Sequence, residues 1–101
     1  MIEQRPILAF FTSSRSGPGR RMESLLAQLA RREREWLRVM CVDVEDRPEL
    51  AERFDIAVVP TLVLAKDRRV VGRLEGRVSR AKIERMLGES LQTSEEVRAV
   101  A

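Results

Sequence analysis

Apolar and polar residues alternate along the chain in blocks that change period several times. Pro6 to Thr12 (PILAFFT) is a continuous apolar run, too short for a core helix and followed by Ser13-Ser14-Arg15-Ser16-Gly17-Pro18-Gly19. Such a run predicts a strand buried on both faces, and the Ser/Gly/Pro cluster predicts a loop. Met22, Leu25, Leu26, Leu29 and Ala30 then recur at helical spacing, with Arg21, Glu23, Gln28, Arg31 and Arg32 on the other side. A helix from about Pro18 to Glu35 follows, and Pro18 suits its first turn, where a missing N–H costs nothing. Leu37 to Val44 (LRVMCVDV) reads as a second strand.

A long helix between two strands predicts a parallel, right-handed crossover. Asp46 is the expected N-cap of a short helix over Arg47–Phe54, with Pro48 just inside and Leu50, Ala51 and Phe54 facing the core. Val58 to Ala65 is the third strand, reached by a second parallel crossover. Lys66-Asp67-Arg68-Arg69 turns the chain into an antiparallel partner, Val70 to Glu75, which Gly76 breaks. Ser79 caps a last helix lined by Ile83, Met86 and Leu87, with its end expected at Gly88. The order is β-α-β-α-β-β-α, an α/β domain over residues 1–91. Residues 92–101 carry little apolar surface and are expected to fray or extend the helix.

Composition narrows the function more than the fold. At 101 residues the chain makes one core. Its formal charge is +3, and only Lys66 and Lys82 among the 19 basic residues are lysines, leaving 17 arginines. Arginine forks match phosphate, yet acidic residues are interleaved throughout, so no run of like charge focuses a field. Codon bias explains the excess without a ligand. Cys41 is the single cysteine and histidine is absent. That excludes an intramolecular disulfide, a Ser-His or Cys-His pair and the commonest zinc ligand. No cofactor or metal is expected. No leader-like segment or membrane-length apolar run is present, so a cytoplasmic protein is expected.

The element order and three motifs resemble the thioredoxin family. Phe11 to Arg20, with Ser16-Gly17-Pro18-Gly19, resembles the family's active-site turn with both cysteines replaced. Val42-Asp43-Val44-Glu45-Asp46-Arg47-Pro48-Glu49-Leu50-Ala51 resembles its strand followed by D-x-x-P-x-L-A. Val59-Pro60-Thr61 matches its Val-Pro-Thr, where the proline is cis, and Gly76 stands at its groove glycine. The resemblance spans about Pro6 to Leu91. It implies a thioredoxin-like fold with a mixed four-stranded sheet flanked by helices, lacking the family's N-terminal strand and helix.

The same resemblance implies lost chemistry. The family's reaction needs a thiolate at the helix N-terminus and a second thiol three residues on. Here those positions are Ser16, which no histidine can activate, and Gly19, which has no side chain. The family's buried aspartate and its lysine partner correspond to Phe10 and Cys41, and its flanking aromatics to Thr12 and Arg15. Losing both members of a charged pair together avoids leaving one buried charge unpaired. Cys41, mid-strand between Met40 and Val42, reads as an inert buried hydrophobe.

Three uses of the surface are then open. The leading one is a redox-inactive, non-enzymatic module that binds an unidentified protein or peptide. Its groove would be bordered by Ser16, Gly17, Pro18, Val59, Pro60 and Gly76, with Val59 offering backbone for strand addition. A second is anion or nucleic-acid binding at the helix start through Ser14, Arg15, Arg20 and Arg21, with Arg77 as a further candidate. The absence of an aromatic platform argues against nucleic acid, because Phe10, Phe11 and Phe54 read as core. A third, Ser16-based glutathione-type chemistry, lacks the second helical domain it needs. Oligomeric state is not encoded legibly.

Overall fold

A computed structural model of the chain describes residues 5–14 and 17–100, with backbone alone for 17–20 and 91–100. Four strands, β1 (Ile7–Thr12), β2 (Arg38–Asp43), β3 (Thr61–Lys66) and β4 (Arg69–Glu75), form one sheet in the order β2-β1-β3-β4. Three helices, α1 (Gly17–Arg32), α2 (Pro48–Arg53) and α3 (Arg80–Val100), alternate with them. This is the thioredoxin-like α/β arrangement, with a mixed sheet flanked by helices. Among the described residues, no helix is long and apolar enough to cross a membrane.

The first crossover is parallel as expected, with Phe10 opposite Cys41 and Phe11 opposite Val42. The second is not, for β3 runs antiparallel to β1. Length is the reason. Six residues of α2 rise about 9 Å, whereas a six-residue strand covers about 20 Å. The chain therefore never returns to the end where β2 began, and β3 starts where β1 and β2 finish.

Alternation along the strands divides the core in two. Leu8, Phe10, Leu62 and Leu64 face α1 and α3, where they pack with Met22, Leu26, Leu29, Ile83, Met86 and Leu87. Phe11, Val42 and Val63 face α2, packing with Leu50, Phe54 and Ile56. The Phe11 and Phe54 rings meet at 5.7 Å between centroids. Gly72 faces α3, and a Cβ there would come within 2.9 Å of Met86 Sδ and 3.0 Å of Ser90 Oγ. A larger residue there would make the Met86 and Ser90 side chains shift.

Several boundaries differ from the sequence reading, each for a local reason. Helix α1 stops at Arg32, because a turn closed by Leu37 N–H on the Glu33 carbonyl (2.9 Å) delivers Leu37 into the core at 1% exposure. Asp46 is not the cap of α2. Arg47 holds that position without a side-chain bond, since Asp43 organises the turn first. Its carbonyl accepts from the N–H groups of Asp46 and Arg47, and its carboxylate from Glu45 N–H. Strand β3 begins at Thr61 rather than Val58, because the Val59–Pro60 bond is cis and turns the chain there. Gly88 does not end α3, which continues to Val100.

Two turns use residues in the left-handed region without glycine. Asp67 (φ 52°) and Arg68 (φ 66°) form the two-residue β3–β4 hairpin turn, a conformation that favours Asn-Gly. Asp55 (φ 54°) ends α2 in a Schellman motif, with Ile56 N–H on the Ala51 carbonyl and Asp55 N–H on that of Glu52. Arg73, from β4, donates to the next two carbonyls, those of Phe54 at 2.5 Å and Asp55 at 3.3 Å. A guanidinium at a helix C-terminus also complements its dipole.

Candidate functional site

Strand direction brings the candidate residues to one end of the sheet. β1 runs toward this end and hands the chain to α1, while β3 leaves it and β4 returns to it. The loop after β1, the start of α1, the bend before β3 and the end of β4 are neighbours for that reason. Ser13 donates to Glu45 Oε1 at 2.6 Å, tying the β1 loop to the turn after β2. Ser14 is exposed. Arg15 and Ser16 lie outside the described residues, as do the side chains of Pro18 and Arg20. Gly17, Pro18 and Gly19 open α1, so the family's turn position is a helix start here.

The opposite wall is built by backbone. Thr61 is buried, and its hydroxyl donates to the Val58 carbonyl at 2.7 Å, closing the cis bend. Gly76 N–H donates to the Pro60 carbonyl at 2.7 Å, and Gly76 adopts φ 81°, where an L side chain is strained. Pro60 is buried, Val59 half-buried, and Val58 exposed at 47%. Among the described residues, the N–H and C=O of Val59 have no hydrogen-bond partner. Val59, Pro60 and Gly76 are thus brought together. Ser14 and Arg21, from the second candidate set, share no hydrogen bond or ion pair among the described residues.

Behind the turn, Phe10 is fully buried among apolar side chains. Its register partner Cys41 is a correction to the sequence reading, for the thiol is exposed. The apolar flanks Met40 and Val42 suggested burial, but β2 stands at the edge of the sheet. Partial burial pushes the Cys41 thiol pKa up, and the Glu23 carboxylate pushes it further. Both effects oppose a thiolate, the reverse of what a reactive cysteine requires. No group of His, Cys, Asp or Glu among the described residues could hold a metal ion.

Sequence reasoning missed the Thr61 and Ser13 hydrogen bonds and the Arg73 clamp. Thr after proline hinted at the first. The other two join residues 32 and 19 positions apart, for which the local sequence carries no signal.

Comparison with known proteins agrees with this geometry. The thioredoxin family model matches residues 1–89. A thioredoxin of Mycobacterium tuberculosis is 32% identical over 89 residues, covering 88% of this chain and 77% of the relative. One from Alicyclobacillus acidocaldarius is 32% identical over 88 residues, covering 87% and 84%. The crystal structure of the germline-specific thioredoxin Deadhead from Drosophila superposes with a TM-score of 0.80 at 28% identity, covering 86% of this chain and 82% of that one. With a single cysteine the chain can form no Cys-x-x-Cys pair. In fold and in sequence, this chain belongs to the thioredoxin family.

Proposed function

We propose that the chain is a redox-inactive thioredoxin-like domain that binds an extended segment of a protein or peptide. The observation that carries this reading is the unpaired backbone of Val59, half-buried beside the Pro60–Gly76 hydrogen bond and next to exposed Val58. A backbone N–H and C=O without partners is costly in a closed interior but suits an edge that receives a strand. Ser16 and Gly19 supply neither an attacking nor a resolving thiol, and Cys41 lies on β2 with a disfavoured thiolate.

The test is selection of linear peptides displayed on phage, followed by titration of 15N-labelled chain with an enriched peptide. Binding in the groove shifts the amide signals of Val59 and Gly76 first. Shifts confined to other parts of the sheet contradict the reading.

A further inference from the structure

The sheet has two free edges, and they are not alike. On β4 the register shifts between Leu64 and Ala65, so that Val71 is an extra residue beside exposed Val70. A bulge and edge charges such as Arg69 and Arg73 are what keep an edge strand from pairing with another chain. On β2 the register with β1 is unbroken from Arg38 to Asp43, and Val39-Met40-Cys41-Val42 carries no charge, proline or glycine. Among the described residues, no strand lies beyond it.

The backbone of that edge is open. In an extended strand the N–H and C=O of one residue point to the same side, and successive residues alternate. Arg38 N–H donates to the Pro6 carbonyl and Val44 N–H to the Thr12 carbonyl, both at 2.9 Å, so the even-numbered residues of β2 turn toward β1. Val39, Cys41 and Asp43 turn outward. The Asp43 carbonyl is used by the turn that follows, where it accepts from the N–H groups of Asp46 and Arg47. Both polar groups of Val39 and Cys41, and the Asp43 N–H, thus line an apolar edge.

The order of charges along this edge indicates what fits it. Arg38 opens β2 near Arg5, which donates to the Arg34 carbonyl; these three outnumber Glu35, while Glu33 is engaged by Arg32 and Trp36. Asp43 closes the strand and is followed by exposed Glu45 and Asp46. The next residue, Arg47, is paired with Glu49 at 2.6 Å. An edge that is basic at its start and acidic at its end complements itself when a second copy runs antiparallel, because each start meets the other's end. A two-fold axis through the middle of β2 generates that arrangement, with one patch serving both copies.

We infer that the β2 edge is a self-association surface, on which a second copy of this chain adds its own β2 antiparallel and continues the sheet. This surface lies on the far side of β1 from β3 and leaves the Val59 groove open in both copies. Pairing along one strand buries a narrow strip, so the dimer is weak and concentration-dependent.

The experiment is sedimentation velocity of the full chain over a concentration series, in reductant and low salt, with the amide signals of 15N-labelled chain followed over the same series. A monomer–dimer equilibrium is expected, in which the amides of Val39, Cys41 and Asp43 shift with concentration and those of Val59 and Gly76 do not. Cys41→Pro removes an outward N–H without touching the ladder to β1, and should weaken dimerisation about tenfold. Arg38→Glu should also weaken it, and Arg38→Glu/Asp46→Arg, which reverses the order of charges, should restore it. Arg38 and Asp46 are exposed, so circular dichroism of these two variants should remain unchanged. A chain that stays monomeric up to about 1 mM overturns the inference. So does a dimer whose amide shifts avoid β2, or one that Val70→Lys/Val71→Lys dissolves while Cys41→Pro leaves it intact, which would place the contact on β4. A dimer indifferent to Arg38→Glu overturns the antiparallel arrangement.

Discussion

The two halves of the sheet end facing α1 differ in what they have kept. On the β1–β2 side, Phe10 is sealed in the core and its register partner Cys41 sits at an open edge. On the β3–β4 side, the Thr61 hydroxyl and the Gly76 amide each donate to a carbonyl of the bend, those of Val58 and Pro60, on either side of Val59. The difference teaches that the second side is fixed by hydrogen bonds to backbone carbonyls, whereas the first is filled by apolar side chains. A buried charged pair can be replaced by apolar residues at no loss to stability. A bend held by one hydroxyl on the Val58 carbonyl and one amide on the Pro60 carbonyl has no such substitute.

Restoring the charge on the first side should have the largest effect. Phe10→Asp removes a fully buried ring and places a carboxylate with no partner in the same cluster. The expected loss is more than about 4 kcal/mol, read from the midpoint of urea unfolding. A loss below about 1 kcal/mol would mean that this position is solvated, and would undo the contrast. On the second side, Thr61→Val keeps shape and deletes the hydroxyl. It should cost about 1–2 kcal/mol in the same measurement, because the Val58 carbonyl loses its partner. Gly76→Ala should cost about 1 kcal/mol through backbone strain alone, since no atom lies within 4 Å of the added Cβ.

Cys41 sharpens the comparison through pH. Its thiol pKa is raised in the folded chain, so the native state holds the proton more tightly than the unfolded one. The resulting stabilisation is present below the ordinary thiol range and is lost as pH rises through the folded value. Alkylation by iodoacetamide should proceed in the folded chain, because the side chain is exposed, but should require higher pH than a model peptide. Glu23→Gln should move that pH profile part of the way back. An unshifted profile would show that neither crowding nor Glu23 acts on the thiol. The smallest effect belongs to a site remote from both halves. Arg68→Gly in the hairpin turn should raise stability by about 0.5–1 kcal/mol, as glycine adopts a positive φ without cost.

The elements were legible because period and punctuation agree locally. Helical spacing from Met22 to Leu29 and the apolar runs of β1 and β3 each identify their element within a few residues. What escaped depends on partners distant in sequence. The antiparallel placement of β3 follows from how far six residues of α2 can reach. The exposure of Cys41 follows from β2 standing at the edge, a fact of strand order that β2's own residues do not carry. Of the candidate site, Val59-Pro60-Thr61 and Gly76 were readable as a motif. The unpaired backbone of Val59 required the folded chain.

The claim that the scaffold outlived its reaction is tested most directly by reduction of insulin disulfides with dithiothreitol. The native chain should leave precipitation at the uncatalysed rate, while Ser16→Cys/Gly19→Cys, which restores two thiols at the start of α1, should accelerate it. Acceleration by the native chain, with Cys41 as its only thiol, would contradict the account.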